Sequence, residues 1–188
     1  MDFEVEKILR LATPEGFFPT YYAMKRSPIV ESSETKIDNY GGVHTFVLEK
    51  ILDFFGDNLL IRNTFQKGLD SLLRDSVTEN GRLLWRWLKN PASNDFMYPC
   101  DYDDTARARV VIEKAKVNGF KLPEEFIDFD FSGLVREGMT PYGVFTFIGK
   151  RTSNTTCPVV NSNVLNAYAL YLRRRGLNPL KDGGFCSV

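Results

Sequence analysis

Apolar residues recur at helical spacing in separate blocks, and the stretches between the blocks have no regular period. Phe3, Ile8, Leu9 and Leu11 mark a short amphipathic helix over residues 3–12, closed by Pro14-Glu15-Gly16. A helical hairpin follows. Phe46, Val47, Leu48, Ile51, Leu52, Phe54 and Phe55 form the broad apolar face of its first helix, and Gly56 is the stop. Asp57 or Asn58 then caps a second helix reaching about residue 76, with Leu59, Leu60, Phe65, Leu69, Leu72 and Leu73 as its stripe. Residues 104–118 are apolar on more than one side (Ala106, Ala108, Val110, Val111, Ile112, Ala115, Val117), which predicts an inner helix covered from two directions and ended by Gly119. A short helix is expected within 120–131. The last long helix spans 162–175, with Asn161 as N-cap, Val164, Leu165, Tyr168, Ala169 and Leu172 on one face, and Gly176 as stop.

The intervening stretches are long and rich in aromatic and turn-forming residues. Residues 16–42, 80–100 and 137–157 are all of this kind, and the tail beyond 176 reads as loose. The run 83–88 fits either the end of a helix or a brief extended piece. The pattern therefore predicts a single all-α domain over residues 1–188, built from repeated αα-hairpins with aromatic-rich connections.

Composition narrows the chemistry. The 188 residues are 43% hydrophobic, enough for one core, and the 24 basic residues balance the 24 acidic ones. No global field recruits nucleic acid or an anionic membrane, and the longest basic run is Arg173-Arg174-Arg175. No apolar run is long enough to span a bilayer, and the N-terminus lacks the order of a signal peptide, so a cytoplasmic location is expected. Cys100, Cys157 and Cys186 form no C-x-x-C pair and read as reduced thiols. His44, the only histidine, reads as a surface or capping residue, with no second histidine for a metal site. No metal or other cofactor is implied.

The richest chemistry lies in Asp101-Tyr102-Asp103-Asp104-Thr105-Ala106. Three carboxylates within four residues repel one another, so if water is excluded one of them keeps its proton to higher pH and becomes a candidate acid. Aspartates also favour helix starts, where they cap free N–H groups. Both readings stay open on spacing alone. Trp85 and Trp87 precede the cluster, as core residues or as walls of a pocket.

The acidic stretch resembles the D-x-D-D-T-A motif of class II terpene cyclases, the squalene-hopene and copalyl-diphosphate type. Residues 81–87 resemble the glycine-and-tryptophan segment ahead of that motif. The stretch Cys157-Pro158-Val159-Val160-Asn161-Ser162-Asn163-Val164-Leu165 resembles the V-N-A-N-V-L segment of related toroid proteins. The likeness covers residues 81–172. It implies an (α/α) toroid of inner and outer helices and protonation-initiated cyclisation of a polyprenyl substrate. Asp103 would be the acid, tuned by Asp101 and Asp104. Trp85, Tyr98, Tyr102, Phe145 and Asn163 would line the substrate site. The number of helices falls short of a closed ring, which implies an incomplete toroid completed by an oligomer or by further chain. The alternative is a non-catalytic α/α module that binds a partner or sugar hydroxyls.

Overall fold

The computed structural model describes residues 3–14, 16–18, 20–23, 35–38, 41–55, 58–86, 99–149 and 154–182. These residues are mostly helical. The helices are α1 (Phe3–Leu11), α2 (Gly41–Phe55), α3 (Leu59–Arg74), α4 (Tyr102–Val117), α5 (Glu124–Ile127), α6 (Phe131–Gly138), α7 (Pro158–Arg174) and α8 (Pro179–Asp182). Three antiparallel strand pairs interrupt them: β1 (Thr20–Ala23) with β2 (Thr35–Asp38), β3 (Val77–Glu79) with β4 (Arg82–Leu84), and β5 (Met139–Thr140) with β6 (Gly143–Val144). No helix among the described residues is long and apolar enough to cross a membrane.

α4 is the centre. Its flanks belong to two different hydrophobic cores, which explains why its apolar residues are not confined to one stripe. Ala108, Val111, Ile112 and Ala115 join the core formed with α2, α3, Val5 and Trp85. Tyr102, Ala106 and Val110 join the core formed with α6 and α7. The expectation of an inner helix holds.

Side-chain contacts fix the directions of the helices. Asp103 meets Asn163 and Glu113 meets Arg174, so α4 and α7 run parallel. Lys114 holds Glu49 and Asp53 near the end of α2, while Phe46, nearer its start, shares a groove with Arg107, so α2 is parallel to α4 as well. The intervening helices return the other way. Arg62 at the start of α3 donates to the Asn118 carbonyl just beyond the end of α4 (2.9 Å). Phe131 at the start of α6 packs on Tyr171 near the end of α7, and Leu134, a turn further on, accepts from the Tyr102 hydroxyl.

Several local expectations are corrected. The fold is not purely helical: residues 77–84 form a hairpin, turned by Asn80 (φ 51°) and Gly81 (φ 75°), a positive-φ pair suited to a two-residue turn. The stretch 83–88 is thus extended at its start. α7 begins at Pro158, four residues before the expected start, because proline suits the first helical position. Asn161 is therefore inside the helix rather than its cap. Its Oδ1 accepts from the Val144 N–H (2.6 Å) and its Nδ2 donates to the Cys157 carbonyl (2.9 Å), tying α7 to β6. The short helix expected within 120–131 is α5, and a second one that was not expected, α6, follows from Phe131.

His44 is 1% exposed, not a surface residue. The Phe18 N–H donates to its Nδ1 (3.3 Å) and its Nε2 donates to the Gly68 carbonyl (2.9 Å), with the Phe17 ring tilted against it at a centroid distance of 4.6 Å. Gly68 permits this approach: a Cβ there would lie 2.8 Å from Leu48 and 2.9 Å from the Gly16 carbonyl. The histidine is the clasp between the 13–18 segment and the α2–α3 hairpin. His44→Ala leaves a buried N–H and a buried carbonyl without their partner and is expected to cost about 1–3 kcal/mol. Urea unfolding measures it; a loss below about 0.5 kcal/mol would remove the ring from that role.

Candidate functional site

The acidic motif is positioned by main-chain pairing on both sides. The Asp101 N–H donates to the Trp85 carbonyl (3.3 Å), the Tyr102 N–H to the Thr146 carbonyl (2.9 Å), and the Ile148 N–H to the Cys100 carbonyl (3.1 Å). Residues 100–101 thus run between the end of the β3–β4 hairpin and residues 146–148. At this junction the chain turns into α4. Asp101 is extended (φ −131°, ψ 163°) and its carboxylate accepts from the Asp104 N–H at 2.7 Å, an N-cap. Thr105 is fully buried, and its hydroxyl accepts from the Trp85 N–H (3.1 Å).

The three aspartates separate into two environments. Asp101 and Asp104 are buried and share a side-chain hydrogen bond. Burial, and then the neighbouring Asp101 charge, push Asp104 from the usual 3.8 up to about 9. Burial also raises Asp101, to about 6, opposed by the hydrogen bonds it accepts from the Asp104 main chain and side chain. The pair therefore keeps one proton at neutral pH, on Asp104. Asp103 points the other way. Its side chain is 26% exposed, Asn163 Nδ2 donates to its Oδ1 at 2.5 Å, and Arg107 Nε lies 3.3 Å from its Oδ2. Asp103 thus accepts a hydrogen bond from Asn163 and is ion-paired with Arg107.

Arg107 and Asn163, the two partners of Asp103, line a groove of about 200 Å³ where α2, α4 and α7 meet. Phe46, Glu49, Lys50, Arg107, Asn163 and Asn166 line it, with Val110 at its base. Phe46 is the one aromatic residue in this lining and is half exposed. Phe46 was not among the expected wall residues, and the expected aromatic ones that are described face elsewhere. Trp85 is 4% exposed in the first core, its indole N–H donating to the Leu72 carbonyl (2.8 Å). Tyr102 is equally buried against α6, and its hydroxyl donates to the Leu134 carbonyl. Phe145 packs on the second core. Tyr98 lies outside the described residues. Of the expected substrate-site residues, only Asn163 is brought to Asp103.

Arg107, Lys50 and Asn166 were missed. Arg107 had a signal, since an acid and a base four residues apart share a helix face. Lys50 and Asn166 had none, because their meeting depends on three helices lying side by side.

The carboxyl pair makes stability pH-dependent. An unfolded aspartate ionises near pH 4, whereas Asp101 holds its proton to about 6 and Asp104 to about 9. Between those values the folded chain binds more protons than the unfolded one. Their contribution is therefore complete below about pH 4 and is lost as pH rises through about 6 and then about 9. The slope is at most about 1.4 kcal/mol per pH unit for each proton. Asp104→Asn cannot ionise and retains an N–H donor for Asp101. Its urea-unfolding stability is expected to exceed that of the wild type at pH 8 and to vary less between pH 6 and 9; parallel curves for the two proteins would contradict the assignment.

No protein-family model matches the chain, and no curated protein or solved structure matches it either.

Proposed function

We propose that this chain is a sector of an (α/α) toroid, related in architecture to class II terpene cyclases, whose acidic motif frames a binding groove for a hydroxyl-rich ligand such as a carbohydrate. The architecture is supported by the alternation of parallel α2, α4 and α7 with returning α3 and α6, as in inner and outer helices of a toroid. One observation carries the function. Asp103 accepts from Asn163 and is ion-paired with Arg107, and these two partners line a groove that offers the Glu49 carboxylate, amide and cationic groups beside the half-exposed Phe46 ring. Planar polar side chains with an aromatic surface suit sugar hydroxyls and the apolar face of a sugar ring. The groove is smaller than the roughly 300–1,000 Å³ pockets that engulf a whole ligand, and so suits one unit of an extended polar molecule.

Protonation-initiated cyclisation of a polyprenyl chain is the second reading. The proton retained by the Asp101–Asp104 pair favours it. Against it, Asp104 is only 5% exposed, and the half-buried Asp103 accepts from Asn163 and is ion-paired with Arg107, with no aromatic enclosure among the described residues to keep water from a cation.

Titration with maltotriose or cellotriose is expected to shift the amide resonances of Lys50, Asn163 and Asn166, and Asp103→Ala to abolish the shifts. Incubation with squalene or geranylgeranyl diphosphate is expected to give no cyclised product. Absence of any sugar-induced shift would end the carbohydrate assignment. Cyclised product that disappears in Asp103→Asn would establish the second reading instead.

A further inference from the structure

A larger cavity, of about 590 Å³, lies between the β5–β6 hairpin and the first two turns of α7, and it shares no lining residue with the groove at Asp103. Its volume is that of a small-molecule site. The walls are largely apolar: Met139, Pro141, Tyr142, Val144, Val164 and Leu165. No charged side chain lines it.

The polar groups in the lining divide into two kinds. Those of Thr140 and Asn161 are already satisfied. Thr140 Oγ1 donates to the Gly143 carbonyl (2.7 Å) and accepts from the Tyr142 N–H (3.1 Å), while the Asn161 amide bridges Val144 and Cys157. The hydroxyls of Thr156 and Ser162 have no hydrogen-bond partner among the described residues. They lie beside the start of α7, where Cys157 supplies no side-chain cap and the first turn carries no acid.

The walls are also held in place. Gly143 has φ +112°, and a Cβ there would come within 2.5 Å of Asn161 Oδ1, so this turn closes onto α7 only with glycine. A site fixed in this way loses little freedom when a ligand enters.

We propose that this cavity binds an uncharged, largely hydrocarbon small molecule carrying one hydrogen-bonding oxygen, with the chain against Met139, Val144 and Leu165 and the oxygen towards Ser162 and the start of α7. An ionic head is disfavoured because nothing in the lining would replace its hydration.

Decan-1-ol and decylammonium are the probes, followed by calorimetry and by the methyl resonances of Val144, Val164 and Leu165. Saturable decan-1-ol binding is expected, with decylammonium weaker by about tenfold or more. Ser162→Trp, at an exposed position, closes the mouth and is expected to weaken decan-1-ol binding by about tenfold. Leu165→Ser, at a site 46% exposed, removes apolar wall and is expected to weaken it as well. Asp103→Ala leaves it unchanged, which separates this site from the sugar groove. No saturable binding, equal binding of decylammonium, or wild-type affinity in both α7 variants would overturn the proposal.

Discussion

A helix that starts inside a protein must satisfy its first N–H groups without stranding a charge there, and α4 starts at such a place. Its first residues lie where the chain's two cores adjoin, with Trp85 on one side and Tyr102, Cys100 and Leu84 on the other. Asp101 supplies the cap, but a buried carboxylate beside Asp104 would bring two charges into the same dry volume. Retaining one proton on Asp104 resolves the conflict: Asp101 caps as an acceptor and the proton on Asp104 joins the two groups. Thr105 completes the joint by accepting the Trp85 N–H. Four side chains within five residues (Asp101, Tyr102, Asp104 and Thr105 about the outward-facing Asp103) thus fasten the β3–β4 hairpin, α6 and α4 to one another.

The far half of α4 meets the same problem with a different answer. Arg109 and Glu113 are each 2% exposed and paired, and an isolated buried ion pair generally fails to recover its desolvation cost. Here Arg109 also donates to the carbonyls of Phe126 and Ile127, while Glu113 faces Arg174 and Arg175. Tyr171 lies between the guanidinium groups, 3.6 Å from Arg175 and 5.2 Å from Arg109, and its ring face offsets the cationic excess. The pair is thus wired into α5 and α7 and sets the register of α4 against both. Asp103–Asn163 at one end and Glu113–Arg174 at the other make the two helices parallel.

What could be read from sequence follows from the range of the physics involved. Apolar period and punctuation are local, so the α2–α3 hairpin, α4 and α7 emerged within a few residues. The inner position of α4 was legible because a helix buried on two sides loses its polar stripe. The strand pairs were not, because each is two to four residues long and is defined by its partner. His44 misled for a similar reason: a lone histidine after Gly-Gly carries no local sign that Phe18 and Gly68 will occupy both ring nitrogens. At the site, the motif identified the three aspartates and Asn163. It could not say which carboxyl would be buried, since adjacent residues on a helix face directions about 100° apart and the outcome rests on what lies against each side.

That division decides the chemistry the motif can perform. An acid catalyst must be neutral at working pH and must reach its substrate. Burial supplies the first property and removes the second. Asp104 is pushed towards its neutral form by burial and by the neighbouring Asp101, while Asp103, on another side of α4, stays partly open to solvent beside Arg107 and Asn163. The same three carboxylates could serve proton transfer only where something covers that seam, displacing water and the guanidinium together. As arranged, the half-buried member accepts from Asn163 and is ion-paired with Arg107, and no proton is left on it to give.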